Sequence, residues 1–343
     1  NKFFQMNNIF FMKQAIREAL KANPNLVYPN PLVGCVIVKD NQIVGQGYHE
    51  AFGGNHAELN AIKSLKIPVK NADLYVTLEP CAHFGKKPPC VDAIVNSKMF
   101  KRVFIASKDP NKRAHGGIKK LKNEGVEVYV GDCEKEAIKI NSRFFTYYKK
   151  NRPFIILKFA RTSDGFIAHP DGSSKWITNS DSRHDAHQTR AGCDAILVGR
   201  TTVEIDNPIL DSHGVGKDPK VIILSSVQLS NTLKIMKRKP IIFGKDKLRF
   251  SDKENIKIIL DNLYSANVQS LLVEGGGKTI TSFIKSGYFD EIHEYVSPKK
   301  FIKGIPFYND DNFDEILSSM ELTDKISFNN DIKNIYRKKC LLD

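Results

Sequence analysis

Three potential ligands and one carboxylate in the first third of the chain have the types and order needed for hydrolysis at a metal ion. His56-Ala57-Glu58 is followed by Glu79-Pro80-Cys81 and then by Pro88-Pro89-Cys90. One histidine and two cysteines suit Zn2+ and leave its fourth tetrahedral position to water, the mark of a catalytic rather than a structural site. A cation there draws the pKa of the bound water toward neutrality. Glu58 is then the proton carrier, taking a proton from that water and delivering it to a leaving amine. A His-x-Glu followed by Pro-Cys and a further Cys is the residue set of a zinc deaminase, although the common pattern there is Cys-x-x-Cys and eight residues separate Cys81 from Cys90 here. Taken singly, each of the three reads as a satisfied histidine or a buried thiol; the ordered set points to a metal.

The elements must bring these groups together. Residues two apart on a helix are rotated by roughly 200°, so His56 and Glu58 converge only at the first turn of a helix, predicted over 56–66. Pro80 suits a second helix start at Cys81, which would place both ligands at positive helix ends. Around them an amphipathic helix is predicted over 8–22, with Met12, Ala15, Ile16, Ala19 and Leu20 on one face. A hairpin turns at Asp40-Asn41 between strands 35–39 and 43–47. Strands 73–77, 102–106 and 126–130 alternate with helices 91–97 and 117–123, and Asp132 is the expected cap of a further helix. This alternation predicts an α/β layered domain.

A boundary falls at Tyr147-Tyr148-Lys149-Lys150-Asn151-Arg152-Pro153, where a helix ends in cations and a proline opens a new apolar run. The two domains are read as 1–149 and 150–343. In the second, strands are predicted at 154–161, 194–198, 220–224, 240–243, 257–260, 269–273 and 290–296, helices near 182–191 and 277–285, and strand pairs over 319–339. Its chemical signal is the apolar strand Ser270-Leu271-Leu272-Val273 running into Glu274-Gly275-Gly276-Gly277-Lys278. Glycines let backbone approach a ligand, and a helix N-terminus offers free N–H groups to an anion. The run is neither Gly-x-Gly-x-x-Gly nor a Walker loop; alone it reads more often as a tight strand-to-helix turn.

A chain of 343 residues, 41% hydrophobic and 26% charged, is that of a soluble protein of about two domains. No run is long and apolar enough to span a membrane, and Phe3 to Phe11, broken by Gln and Asn, makes a poor signal peptide. A cytoplasmic location is expected, with Cys35, Cys133, Cys193 and Cys340 reduced. The net charge of +14 fits a phosphate-bearing partner, but the basic residues are scattered in pairs such as Lys149-Lys150, as on ordinary solvated faces.

Several further segments are turns by default until taken together, and together they resemble the bifunctional riboflavin-biosynthesis deaminase–reductase family. The resemblance covers nearly the whole chain. It rests on Pro29-Asn30-Pro31-Leu32-Val33-Gly34, on His56-Ala57-Glu58, and on Glu79-Pro80-Cys81-x-His83-x-Gly85-Lys86-x-Pro88-Pro89-Cys90, whose long Cys-to-Cys spacing is this family's own. In the second half it rests on Lys158-x-Ala160-x-x-x-Asp164-Gly165, on Gly172-Ser173-Ser174-Lys175-Trp176-Ile177, on Arg190 with Asp194-Ala195-Ile196, on Gly199-x-x-Thr202-x-x-x-Asp206-x-Pro208-x-Leu210, and on Glu274-Gly275-Gly276.

The resemblance implies a cytidine-deaminase-like α/β/α domain followed by a dihydrofolate-reductase-like α/β domain. The first would use one zinc per chain to remove the 2-amino group of a diaminopyrimidinone ribosylamino 5′-phosphate. The second would use NADPH to reduce the ribosyl group to a ribityl chain. His56, Cys81 and Cys90 match the zinc ligands, Glu58 the proton shuttle, and Asn30, His49 and Lys86 positions that hold the pyrimidine and its ribose phosphate. Ala160, Trp176, Thr202 and Asp206 match NADPH-side positions, and Gly276, Gly277, Lys278, Thr279, Ile280, Thr281 and Ser282 the cofactor-phosphate loop. Ser225 is a candidate for the 2′-phosphate contact. Ser174, Arg190, Leu210 and Glu274 match substrate positions. Lys158 stands at the reacting ribose as proton donor or stabiliser, with Asp206 orienting it. One departure concerns substrate phosphate. The family continues after Leu210 with Thr-x-Arg, whereas this chain has Asp211-Ser212-His213, so that His213, or a neighbour such as Lys217, would take the arginine's part. A homodimer through the second domain, a phosphorylated pyrimidine as substrate, and neither nucleic acid nor membrane as partner are also expected. Two other readings share the zinc set. A nucleic-acid deaminase with an unrelated C-terminal binding domain requires a basic groove with stacking aromatics; a scaffold that uses zinc only to fold gives Glu58 no task.

Overall fold

The computed structural model describes residues 2–84, 88–174, 177–244, 252–307 and 313–339. The chain divides into two compact units, Asn1–Lys149 and Lys150–Asp343.

The first unit is a five-stranded sheet between helices. Its strands are β1 (Gly34–Lys39), β2 (Gln42–Tyr48), β3 (Ala72–Leu78), β4 (Phe100–Ser107) and β5 (Glu127–Val130), in the order β2-β1-β3-β4-β5. β1 runs antiparallel to both neighbours, while β3, β4 and β5 are mutually parallel. Successive side chains of a strand point to opposite faces, and β1 shows the consequence. Val36 and Val38 pack with Phe11, Met12 and Ala15 of the helix Lys2–Ala19. Cys35 and Ile37 pack with Ala57 and Ala61 of the helix Ala57–Lys63 and with Val91 and Ile94 of Cys90–Ser97. Two glycines set the spacing. A Cβ on Gly34 would lie 2.0 Å from the Ala15 carbonyl oxygen, and one on Gly47 would lie 2.5 Å from the Ala61 nitrogen, so both helices sit directly on the sheet.

The second unit has an eight-stranded sheet. Its elements are β6 (Phe154–Thr162), β7 (Phe166–Ala168), β8 (Ala195–Gly199), β9 (Lys220–Leu224), β10 (Ile241–Phe243), β11 (Ser270–Glu274), β12 (Glu291–Ser297), β13 (Ile305–Pro306), β14 (Met320–Phe328) and β15 (Asp331–Lys338). The sheet order is β10-β9-β8-β11-β6-β12-β15-β14, and β7 pairs separately with β13. Strands β10 through β12 are parallel; β15 and β14 close the sheet antiparallel. Ile155, Leu157 and Phe159 face the helices Asp252–Ser265 and Gly277–Ser286, while Ile156 joins Ile196, Val198, Ile223 and Leu272 on the other face. The expected pair of α/β domains is therefore present.

Several local expectations are corrected. The segment 257–260, read as a strand from Ile258-Ile259-Leu260, lies inside the helix Asp252–Ser265. Ile256, Ile259, Leu260 and Leu263 are all buried at helical spacing, a pattern too long for the short apolar window to reveal. The first helix ends at Ala19, and Leu20, assigned to its apolar stripe, is 57% exposed. Asp132 is not a cap: the helix Glu134–Ile140 begins from Cys133, whose φ is 58°. The helix Arg200–Asp206, over which no helix was expected, ends at Asn207 in the left-handed conformation, which readily accommodates asparagine.

Candidate active sites of the two domains

In the first domain His56 is the residue that caps the helix Ala57–Lys63, in extended conformation and with no side-chain capping bond. Its Nδ1 lies 3.1 Å from Cys90 Sγ and 3.6 Å from Cys81 Sγ, and the three ligand atoms all fall within 4.8 Å of one another. Cys90, not Cys81, opens a helix, which corrects the expected helix start. Cys81 lies in the loop after β3, and its Sγ accepts the Cys90 backbone N–H at 3.3 Å. A neighbouring hydrogen bond, Val91 N–H to Cys81 C=O, closes the base of the intervening loop.

The segment that leads into Cys81 is anchored at Glu79 and at Pro80. Glu79 accepts the backbone N–H of Ile118 at 3.1 Å and of Asp109 at 3.4 Å. Gly117 lets its helix abut that segment, since a Cβ there would come within 2.0 Å of the Pro80 carbonyl oxygen. Burial, and then the nearby Glu79, push the Asp109 carboxyl up to about 6. The signal was Asp109-Pro110 directly after a strand, a turn motif with a buried acid in it.

Electrostatics fits the donor set to a dication. The two thiols share a hydrogen bond that draws the Cys81 thiol down to about 4, while the same bond and burial drive the Cys90 thiol up. A cation would relieve both, because a coordinating thiol is deprotonated outright. Glu58 is 3% exposed, and its Oε2 has no hydrogen-bond partner. Burial raises its carboxyl, with His56 partly offsetting the shift. A buried acid with a free oxygen beside three ligands has the character of a proton carrier. Close by, His49 Nδ1 lies 2.9 Å from the Asn55 carbonyl, which makes it the donor and leaves Nε2 to accept from the Asn30 amide at 3.0 Å. Burial lowers the His49 pKa, so the ring is neutral, edge-on to His56 with centroids 5.2 Å apart. Lys86 lies outside the described residues.

In the second domain, β11 and β6 put Glu274 and Lys158 side by side in register. The Lys158 ammonium is 3.9 Å from Glu274 Oε2, and Arg190 clamps the same carboxylate through two hydrogen bonds of 2.8 Å. Burial disfavours the Glu274 charge, yet Arg190 and Lys158 hold it at about 2. Burial lowers the Lys158 pKa, and Glu274 opposes that shift. Asp206 does not bond Lys158. Its Oδ2 accepts from Ser174 Oγ at 2.9 Å, and its buried Oδ1 has no partner. The acid that strand register sets beside Lys158 is Glu274, not Asp206.

The glycine run turns tightly from β11 into the helix Gly277–Ser286. Gly275 has φ 121°, Gly276 precedes the helix Gly277–Ser286, and its N–H donates to Thr202 Oγ1 at 3.1 Å. A Cβ on Gly275 would meet that same hydroxyl at 2.9 Å, so side chains are excluded where a ligand would approach backbone. Lys278 is exposed and Thr279 and Thr281 are partly buried, whereas Ile280 is in the core and Ser282 bonds Asp252. Ala160 is half-buried on β6. Leu210 is buried with φ 57°. Ser225 Oγ bonds the Val227 carbonyl at 2.6 Å. His213 is exposed, stacks on His187 at 3.9 Å, and lies 2.7 Å from Asp211 Oδ1. Trp176 lies outside the described residues.

Residues 153–331 match the RibD C-terminal domain, and residues 6–107 match the cytidine and deoxycytidylate deaminase zinc-binding region. The riboflavin biosynthesis protein RibD of Aquifex aeolicus is 44% identical over 315 residues, 86% of this chain and 88% of its own. That of Actinobacillus pleuropneumoniae is 38% identical over 326 residues, 87% and 86% of the two chains.

The chain belongs to the RibD family.

Two solved structures share the architecture end to end. The diaminohydroxyphosphoribosylaminopyrimidine deaminase/5-amino-6-(5-phosphoribosylamino)uracil reductase of Thermotoga maritima superposes with TM-score 0.81 at 35% identity, covering 98% of this chain and 99% of its own. Acinetobacter baumannii RibD gives 0.83 at 32%, covering 98% and 100%. As a RibD-family protein the chain is a bifunctional enzyme of riboflavin biosynthesis, a zinc-dependent deaminase joined to an NADPH-dependent reductase. Its second half is a reductase domain and not an unrelated nucleic-acid-binding module, which removes that alternative. No described helix is long and apolar enough to cross a membrane.

Proposed function

We propose that the first domain hydrolyses the 2-amino group of 2,5-diamino-6-(5-phosphoribosylamino)pyrimidin-4-one, and that the second reduces the resulting ribosylaminouracil phosphate to 5-amino-6-(5-phosphoribitylamino)uracil. The observation that carries the deaminase reading is the free, buried Glu58 Oε2 beside His56, Cys81 and Cys90. His56, Cys81 and Cys90 would hold zinc, which would supply the Lewis acid that acidifies the attacking water. Glu58 receives a proton from the attacking water and returns it to the departing amine, a shuttle suited to a carboxyl whose pKa burial has raised. Asn30 and the neutral His49, bonded to each other, present a fixed polar wall to the pyrimidine. Lys86 takes the ribose phosphate.

In the reductase domain the loop from Gly276 to Ser282 would hold NADPH, which would supply the hydride for reduction at C1′ of the sugar. Lys158 donates a proton to the ring oxygen as the ring opens, and its burial-lowered pKa makes that proton available. Glu274 orients Lys158, and Arg190 holds Glu274 in place. The loop Gly276 to Ser282 and Thr202 take the cofactor phosphates, with backbone N–H groups as donors. Ala160, Trp176, Asp206 and Ser225 complete the cofactor side, while Ser174, Leu210 and His213 face the substrate. The enzyme works in the cytoplasm as a dimer through its reductase domain. Metal analysis combined with a coupled assay on the diaminopyrimidinone phosphate, with and without NADPH, tests this reading. It expects one zinc per chain, ammonia release without NADPH, and NADPH oxidation only after deamination. Full deaminase activity in metal-free protein would overturn it.

A further inference from the structure

One face of the second sheet carries a row of charges that continues past the reductase site. Arg190 and Glu274 come first, then Lys158 on β6, then Tyr295 on β12 and Lys333 on β15. Register aligns them: Glu274 pairs with Lys158, Ala160 with Tyr295, and Tyr295 with Lys333. Lys333 is only 4% exposed, an unusual place for an ammonium unless it is paired. Its partner is Asp185 of the helix Ser180–Ala191, at 2.6 Å. The same Asp185 oxygen accepts the Tyr295 hydroxyl. The Tyr295 ring lies between two cations, 5.5 Å from the Lys158 Nζ and 5.2 Å from the Lys333 Nζ, both within cation–π range. None of these three residues was singled out from sequence, and the deaminase and reductase roles above use none of them.

We propose that Asp185, Tyr295 and Lys333 form a positioning triad for the reductase: the Lys333–Asp185 ion pair fixes the Tyr295 hydroxyl, and the anchored ring holds the Lys158 ammonium against Glu274. The triad rests on the reading of Lys158 as the proton donor. The charged and titratable groups around Lys158 are Glu274 from β11, Arg190 and Asp185 from the helix, Lys333 from β15, and Tyr295 with its register neighbour His293 from β12. Lys333 and Arg190 disfavour its charge, whereas Glu274 and Asp185 favour it. The triad therefore sets both where the ammonium sits and how readily it gives up its proton.

Opposite charge changes in the triad have opposite effects on that proton. Lys333→Met removes a cation and leaves Asp185 unpaired; Lys158 then stays protonated to higher pH, and the alkaline limb of the reductase kcat profile moves up. Asp185→Asn removes an anion, and the limb moves down. Tyr295→Phe keeps the ring but cuts its anchor, lowering kcat roughly 10-fold to 100-fold, the range seen where an orienting partner is removed, with KM little changed. Lys333→Arg restores the limb. The measurement is the pH dependence of NADPH oxidation by the full chain, with cofactor affinity as the check on folding. If Lys333→Met fails that check, Asp185→Asn and Tyr295→Phe carry the test. Lys158→Ala is the control. A limb that persists in it overturns the donor assignment and the triad with it. A limb that vanishes there but stays fixed in the folded triad variants overturns the triad alone.

Discussion

Glu274 accepts two hydrogen bonds from the Arg190 guanidinium, each 2.8 Å, while its carboxylate also stands beside the Lys158 ammonium. The carboxyl ordinarily titrates near 4.5 and is held at about 2 here. A depressed carboxyl contributes stability that is complete above its unfolded pKa and is lost as pH falls through the folded one. Wild-type protein therefore loses this contribution between about pH 4.5 and about pH 2. Glu274→Gln leaves two buried cations uncompensated and costs about 3–5 kcal/mol near neutral pH. The stability gap between the two proteins narrows as pH falls through that window. Denaturation followed at several pH values checks it; a gap that stays constant would mean that Glu274 is not charged in the folded state.

Removing zinc separates the two activities. A metal-free preparation loses deamination and still oxidises NADPH on the deaminated substrate. It also exposes an asymmetric thiol pair. The hydrogen bond the two thiols share lowers the Cys81 pKa and raises that of Cys90, so Cys81 is the more readily ionised of the two. Alkylation of the metal-free protein goes first to Cys81. Peptide mapping of the labelled protein reads this out, and preferential labelling of Cys90 would contradict it.

The deaminase site was legible because its chemistry is written in residue types close together in sequence: His56, Glu58 and Cys81 are separated by no more than one helix and one strand. The loop between the cysteines was legible as present, but not the way it and the segment before it are held. The Cys90 N–H to Cys81 bond, the Glu79 tether and the close approach at Gly117 depend on backbone that only the assembled sheet brings together. The reductase site was less legible for the same reason. Lys158 and Glu274 are neighbours only through the register of β6 with β11, and Asp206, much nearer along the chain than Glu274, was assigned the orienting role. Lys333 sits in a tail of weak periodicity because Asp331 and Lys333, on one face of β15, are paired with residues of the helix Ser180–Ala191 and its cap, which hides the apolar alternation that marks a strand. The misread helix at Asp252–Ser265 has a different cause: β-branched residues in a short window mimic a strand, although the burial repeat is helical.

Glu58→Gln keeps the size of the side chain and removes its capacity to carry a proton. Deamination falls by roughly 10²-fold to 10⁴-fold, the range expected for loss of a general acid–base group. Zinc content and NADPH oxidation on the deaminated product stay at wild-type values. Parallel assays with metal analysis on one preparation check all three. A joint loss of both activities in folded protein would show that the two sites are not independent.

His213 and His187 stack nearly face to face, with ring centroids 3.9 Å apart and planes 2° from parallel. Burial, His213 and Arg190 push His187 down to about 4, so it is neutral at working pH and offers an anion no charge. Among the ring pair, any grip on substrate phosphate then falls to His213, which Asp211 faces at 2.7 Å. An imidazole is charged only in part near neutral pH, whereas a guanidinium is always charged and binds phosphate through two parallel hydrogen bonds. His213→Arg should therefore lower the reductase KM for its phosphorylated substrate several-fold, a gain of about 1 kcal/mol for a charged hydrogen bond, and leave kcat unchanged. Steady-state kinetics of the two proteins checks this. A KM that ignores the substitution would move the phosphate grip to a permanently charged neighbour, of which Lys217 is the first to replace.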